Sequence, residues 1–329
     1  GRSLILNAHI DVVDPGDPAL WSHEPWGGAV DGGNLYGRGS CDMKAGFIAH
    51  HFALETLRRL GVQLRGDVFL ESVISEEDGG AGALAAVLRG YTADGAIITE
   101  PTRLAAVAAQ GGSLVFRLTV HGRSAHACVR DEGVSAIEKF WVLHQAMLAF
   151  EAQRNASIDH PLYRPIANKI PINVGTIKGG NWPSSAPESL VAEGRAGLVP
   201  GETLEGYKAE FVAMLMAAAD ADPWLREHPP VIEWFSGQFA PAEVALDEPL
   251  LGTLRAAHAR TTGAEPAVEA VTYGADMRHF VLFGNTPCVM YGPGDVRLAH
   301  FTDEHVPLAE VFTAIETIAL ATAAWCGVA

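Results

Sequence analysis

Apolar positions along the chain fall into two patterns. Four short stretches are apolar almost without interruption: residues 4–7, 68–74, 96–99 and 287–291. Runs without alternation are expected of parallel strands buried under helices on both faces of a sheet. Between them, helical spacing predicts a helix over 45–60, where Phe47, Leu54, Leu57 and Leu60 recur before Gly61 stops the pattern. Helices are likewise predicted over 82–89, 250–262 and 308–325. Strands alternating with helices imply an α/β fold: an open, mostly parallel sheet with helices on both faces.

The middle of the chain reads differently. From about Ser113 to Gly237 the strands are amphipathic: "LVFRLTVHG", "PINVGTIKGG", "SLVAEGRAGLV" and "PVIEWF". Helical stretches over 134–153 and 204–219 separate them, in the order β-α-β-β-α-β. The predicted organisation is therefore an α/β domain in two parts, 1–112 and 241–329, with an α+β domain inserted at 113–240. There is no internal repeat and no low-complexity linker. The opening "GRSLILNAHIDVV" enters a strand with no preceding helix or turn, as expected if an upstream segment is missing.

Composition narrows the function. With 329 residues, 48% of them hydrophobic, the chain can build a sizeable core and two domains. A net charge of −16 argues against nucleic acid or an anionic membrane as partner. No apolar run reaches the length expected of a membrane span, and no signal peptide is recognisable. Cys41, Cys128, Cys288 and Cys326 have neither zinc-knuckle nor CxxC spacing, and are expected to be free thiols in a reducing, cytoplasmic setting.

Polar groups gather where the apolar runs stop. "LILNAHID" ends in His9 and Asp11, "VFLESVISEED" in Glu76, Glu77 and Asp78, and "AIITEP" in Glu100. In an open α/β sheet, ligands bind at the carboxyl ends of the strands. "GRGSCDMKAG" places Asp42 in a glycine-rich loop opening a helix, and "GDVRLAHFTDEHV" places His300 after the last strand. Adjacent carboxylates are costly to bury unless a positive charge neutralises them. Histidines and carboxylates converging from separate strands suit a zinc site, and several carboxylates with few histidines suit two metals sharing a ligand. Taken singly, each residue has a plainer reading. His9 reads as a core histidine, Glu100 as a strand end, Asp42 as a helix cap and His300 as a surface loop residue with His305 as rival. His50 and His51 read as ordinary helix residues, and His121, His144 and His160 have no supporting context.

The ordered set "HIDVV", "PWGGAVDGGNLYGRGSCDMKAG", "SEEDGG", "ITEPT", "HGRSAHA" and "LAHFTDEHV" resembles the acetylornithine deacetylase and succinyl-diaminopimelate desuccinylase family of co-catalytic zinc hydrolases. Carboxypeptidase G and the aminoacylases are relatives of that family. The resemblance covers essentially the whole chain, though the family carries an additional N-terminal segment. It implies two divalent ions, zinc first and cobalt second. His9 and Glu100 would hold one, Glu77 and His300 the other, and Asp42 would bridge them. Asp11 would hydrogen-bond His9 and fix its tautomer. Glu76 would be the general base for attack of a metal-bridged hydroxide on an amide carbonyl. The inserted domain would serve as lid and dimerisation domain of a homodimer, with His126 reaching the active site of a second copy to stabilise the oxyanion. Arg195 and Arg278 match regions that contact substrate carboxylates, with structural ion pairing the equal alternative for both.

Three positions depart from the family pattern. Ala45-Gly46 stands where two glycines are usual, Gln110-Gly111-Gly112 replaces an Arg-Arg-Gly, and Ser184 falls where an asparagine often contacts substrate. The expected activity is hydrolysis of a small N-acyl amino acid or similar carboxylate-bearing amide. A dipeptidase or aminopeptidase on the same scaffold is the alternative. A metal-binding fragment without catalysis is a third reading, and retention of Glu76 argues against it.

Overall fold

The structure, a computed structural model, describes residues 1–329 and contains two compact units. One comprises Gly1–Gln110, Ala242–Val271 and Ala275–Ala329; the other comprises Gly111–Pro241 with Thr272–Gly274.

The first unit is built on a seven-stranded sheet. Its spatial order is Ala242–Glu243, Ala106–Gln110, Cys288–Met290, Ala96–Ile98, Leu4–His9 and Val68–Val73, with Val268–Val271 also pairing with Ala106–Gln110. Leu4–His9 runs parallel to both Val68–Val73 and Ala96–Ile98, and Cys288–Met290 runs parallel to Ala96–Ile98. Antiparallel pairing is confined to Ala242–Glu243 and Met290 against Ala106–Gln110. All six residues of Leu4–His9 are buried, as a continuous apolar run between two helix layers requires.

Several details differ from the sequence-based expectation. Val68–Val73 is an edge strand and only half-buried, because Leu4–His9 is its single neighbour. Ala106–Gln110, Val268–Val271 and the short helix Met277–Leu282 lack a readable signal in the sequence. The alanines of "AVAAQ" have low strand propensity and form a strand because that position is wholly buried. Helix Ala45–Arg59 buries Ala45, Ala49, Ala53 and Leu57 rather than the face containing Leu60, which is exposed. Close approach explains the small face: a Cβ at Gly46 would lie 2.4 Å from the Thr99 carbonyl oxygen. Of the two positions where glycine is usual, the one retained is the one with no room for a side chain.

Contrary to the sequence reading, which found no run of membrane-span length, helix Leu308–Cys326 is long and apolar enough, by length and composition, to cross a membrane. Its buried residues Val311, Ala314, Ile318, Ala321 and Trp325 recur every three or four positions, and it packs against helices Ala45–Arg59 and Pro249–Thr262. A small three-stranded sheet, His305–Pro307 with Asn34–Tyr36 and Val30–Asp31, completes the unit.

The second unit has the order β-α-β-β-α-β. Its antiparallel sheet runs Val231–Phe239, Gly112–His121, Ser189–Leu198 and Ile172–Gly179. Alternate residues Leu114, Phe116, Leu118 and Val120 face helices Ala136–Ser157 and Leu204–Ala221, with Phe116 and Phe211 ring centroids 5.1 Å apart. Ser135 and Thr203 cap the two helices through the amides of Glu138 and Gly206. All four cysteines of the chain are free.

His50, midway along Ala45–Arg59, is fully buried and neither ring nitrogen has a hydrogen-bond partner. Burial lowers its pKa to about 3. The folded protein therefore holds this imidazole neutral while the unfolded chain takes up a proton below about pH 6.5. The stability His50 contributes is present above that pH and is lost as pH falls towards 3. Urea unfolding of wild type and His50→Met at pH 7 and pH 5 checks this. The free-energy difference, variant minus wild type, should rise by about 2 kcal/mol on acidification. A difference independent of pH contradicts it.

Candidate active site

Parallel pairing of Leu4–His9 with Val68–Val73 and Ala96–Ile98 brings three strand ends to one edge of the sheet. His9 closes the first strand, in register with Val73. The chain beyond Val73 turns sharply at Ser75, whose φ of 63° is unusual outside glycine, and the Gly79 amide bonds back to the Glu76 carbonyl at 3.1 Å. Glu76 and Glu77 sit in that turn. Glu100 follows the third strand. Asp42 comes from the Ser40–Lys44 turn before helix Ala45–Arg59, entered through Gly39 at φ 80°.

These residues meet. His9 Nε2 is 3.1 Å from Asp42 Oδ1. His300 Nε2 is 2.9 Å from Glu77 Oε2 and 3.5 Å from Asp42 Oδ2. Donor atoms of His9, Asp42 and Glu77 all lie within 4.8 Å of one another. Glu100 is buried beside them, within electrostatic reach of Asp42, His9 and Glu77, although it is not part of that closest group. His305 is elsewhere: its Nδ1 lies 2.7 Å from the Asp303 carbonyl oxygen and its ring leans on Tyr36.

The electrostatics follow from this crowding. Burial, then the charge of Glu100 and Asp276, raises the Glu76 carboxyl well above its usual range. Burial followed by repulsion from Asp42 does the same to Glu100. Burial opposes a charge on His9, yet its contacts with Asp11 and Asp42 outweigh that and hold the imidazole well above its usual value. Asp42 and then Glu77 push His300 up to about 10.

Asp11 lies against His9 through both its main chain and its side chain, and also holds the glutamate turn. The nearer partner of His9 Nδ1 is the Asp11 main-chain carbonyl at 3.0 Å, while the carboxylate stands at 3.5 Å and accepts the Glu77 amide at 3.1 Å. Arg278 takes the structural role that was its alternative reading. It is buried, and its guanidinium donates to the carbonyls of Ala275 at 2.6 Å and Gly79 at 2.8 Å, so it braces the turn that carries Glu76 and Glu77.

Three residues of the site were not picked out from the sequence. Asp276 is buried to 1% exposure, with no hydrogen-bond partner on either carboxylate oxygen, and burial pushes it up to about 6. His279 stands 3.7 Å away, lowered to about 4 by burial and then by Arg278. Both crowd Gly80: a Cβ there would lie 2.3 Å from Asp276 Oδ1 and 2.4 Å from His279 Nε2. Glu304 accepts the amides of Cys41 and Asp42 and pairs with Arg38. Asp276 and His279 flank Arg278 in "GADMRHF", and that proximity was the one available signal.

His126 and Arg195 belong to the second unit. His126 is exposed, and its Nδ1 accepts the Cys128 amide at 3.2 Å. Arg195 is engaged within the unit, donating to Ser113 Oγ at 2.7 Å and to the Thr272 carbonyl at 3.0 Å. Ser184 uses its main-chain carbonyl to accept the Ala127 amide.

Carboxylates with imidazoles form the donor set of a divalent-cation site. Glu76 Oε1 and Glu100 Oε1 are buried without hydrogen-bond partners, which native proteins rarely tolerate. These residues fit a divalent cation.

The sequence pattern of Peptidase family M20/M25/M40 matches residues 5–324. The chain is 32% identical over 346 aligned residues to the N-formyl-4-amino-5-aminomethyl-2-methylpyrimidine deformylase of Halalkalibacterium halodurans, covering 99% of this chain and 79% of that protein. It is 31% identical over 335 residues to the acetylornithine deacetylase of Myxococcus xanthus, covering 99% of this chain and 81% of that one. An M20 family metallo-carboxypeptidase from Sulfolobus solfataricus shares the fold, with a TM-score of 0.77 at 16% identity over 98% of this chain and 84% of its own. Matched along nearly its whole length, the chain belongs to peptidase family M20/M25/M40.

Proposed function

We propose that this enzyme is a cation-dependent amidohydrolase that removes a short acyl group, formyl or acetyl, from a small amine or amino acid. The observation that carries the reading is the meeting of His9, Asp42, Glu77 and His300, with buried Glu76 alongside. His9, Asp42, Glu77, Glu100 and His300 would hold two divalent cations, zinc first and cobalt second. Bound there, the cations would supply Lewis acidity at the amide carbonyl and neutralise the carboxylates.

Glu76 then has a distinct task. Its carboxylate takes a proton from the attacking water and hands it to the departing amine nitrogen, so the C–N bond breaks without releasing an amide anion. Asp11 and Arg278 hold the turn from which Glu76 projects, through the amide of Glu77 and the carbonyl of Gly79. The two named relatives act on a formyl and an acetyl amide respectively, and their amine portions differ: one is a pyrimidine, the other an amino acid. A small acyl group is what they share. Arg278 and Arg195, both bonded elsewhere, give no support to recognition of a substrate carboxylate.

The second unit is proposed to form a homodimer. Helix Ala136–Ser157 exposes Ile137 and Trp141, the latter at 61%, beside Ile177 on the edge strand Ile172–Gly179. An unpaired edge flanked by exposed apolar side chains suits a two-fold pairing. His126 would then act in the site of the second copy.

Glu76→Gln should keep two cations per chain and lose roughly 10²–10⁴-fold in kcat. Glu77→Ala should lose a cation. Elemental analysis beside turnover separates the two; equal cation loss in both variants rejects this division of labour. Substrate class is tested with zinc-loaded enzyme on N-formyl and N-acetyl amines, N-acetyl amino acids and dipeptides. Turnover of the short acyl amides in preference to dipeptides is expected, and the reverse order favours the dipeptidase reading. For the dimer, Glu76→Gln and His126→Ala subunits are mixed. Activity should return in the mixture, and its absence after confirmed subunit exchange refutes a role for His126 in the second copy.

A further inference from the structure

Glu304 is 1% exposed and sits among donors that come from one short segment. Its Oε1 accepts the amide of Cys41 at 2.9 Å and that of Asp42 at 3.0 Å. Its Oε2 accepts from the Arg38 guanidinium at 2.5 Å, and Arg38 is itself buried. Its main-chain carbonyl accepts the Gly37 amide at 2.9 Å and lies 3.4 Å from the Ser40 hydroxyl. Every one of these donors lies between residues 37 and 42. Glu304 also stands four residues beyond His300, and the chain then enters His305–Pro307, paired with Asn34–Tyr36.

One side chain therefore ties the loop that carries Asp42 to the loop that carries His300. The product is visible in the site, where Asp42 Oδ2 and His300 Nε2 lie 3.5 Å apart. Two hydrogen bonds on consecutive amides fix the peptide from which the Asp42 side chain departs. A bond from a guanidinium is charge-assisted and of the stronger kind, and a buried acceptor cannot exchange its partners for water. His300 lies at φ 59°, a conformation that must be held by its surroundings, and Glu304 is the nearest buried anchor in its segment.

We propose that Glu304, with Arg38 behind it, is a positioning residue that sets the cation affinity of the site by fixing Asp42 against His300. It touches neither cation nor substrate. The proposal rests on the cation-dependent reading above.

The test measures zinc affinity by competition with a chromophoric chelator, together with melting temperature with and without zinc. The variants are Glu304→Gln and Arg38→Lys, with Glu202→Gln as control. Glu202 pairs with Arg154 in the second unit, so its loss destabilises the protein without touching the Glu304 contacts. Glu304→Gln should bind zinc about 10–100-fold more weakly, the usual consequence of losing a residue that orients a ligand. Arg38→Lys keeps the charge but not the fork of donors, and should lose about tenfold. Glu202→Gln should melt lower yet bind zinc as wild type does. At saturating zinc the Glu304 variant should show a reduced kcat with KM near wild type. Wild-type zinc affinity in Glu304→Gln overturns the proposal, and if that variant fails to fold, wild-type affinity in Arg38→Lys overturns it instead. A wild-type chain that takes up no zinc or cobalt refutes the cation-dependent reading and the proposal with it; a wild-type chain that binds zinc, with variants that bind equally, refutes the proposal alone.

Discussion

Negative charges cannot be buried side by side without compensation, and that constraint organises the catalytic unit. Glu76, Glu100 and Asp276 are all buried at one edge of the sheet, around His9 and Asp42. Two imidazoles and the Arg278 guanidinium are the positive groups at hand, and the imidazoles already serve Asp42 and Glu77. Such a cluster persists only where the backbone beneath it is over-determined. The sheet supplies part of that rigidity, since a parallel arrangement puts three strand ends in register within one layer. Side-chain braces supply the rest: Asp11 and Arg278 on the glutamate turn, and Glu304 on the Asp42 loop.

Close packing makes these braces possible. Gly46 lets helix Ala45–Arg59 settle onto Thr99, the residue before Glu100, so the helix that follows Asp42 and the strand that precedes Glu100 touch backbone to side chain. Gly80, at φ 72°, admits Asp276 and His279 against the far end of the glutamate turn. A side chain at either glycine would push apart two segments that both carry site residues. Packing at protein density transmits such displacements instead of absorbing them. The same density explains why helix Ala45–Arg59 turns Ala45, Gly46, Ala49 and Ala53 inward beside Leu57, while Phe52 and Leu60 stay exposed.

What the sequence disclosed depended on how local the signal was. Leu4–His9 and Ala96–Ile98 were legible because burial on both faces leaves an unbroken apolar run, and the polar residues that end such runs fall at the ligand-binding edge by geometry alone. Val68–Val73 carried the same signal but lies at the sheet edge, since strand order is set by pairing over long sequence distances. The strand Ala106–Gln110 was silent because alanine favours helix and only its surroundings make it extended. Arg278 drew notice because its region matches one that contacts substrate carboxylates, whereas its partners here are main-chain carbonyls that sequence does not display. Glu304 was hidden for the same reason: the amides it holds belong to residues 41 and 42, more than 260 positions away. Motif spacing finds groups that gather at strand ends. It does not find the groups that hold the loops between them.

Adjacent glutamates with unlike surroundings show how one turn can serve two chemistries. Glu77 is fixed at both ends, its amide by Asp11 and its carboxylate by His300 at 2.9 Å, so its charge is matched and its position set. Glu76 faces Glu100 and Asp276, is buried, and keeps Oε1 without a hydrogen-bond partner. A carboxylate held at both ends in this way is placed as a ligand. An unmatched, desolvated one gains by taking a proton, as a group that must accept one and release it again should. The two glutamates, consecutive in the turn that opens at Ser75, thus meet different neighbours. Three acidic residues in a row are therefore tolerated because the backbone distributes them, and the pair that looked mutually repulsive in the sequence is divided between a charged partner and a buried pocket.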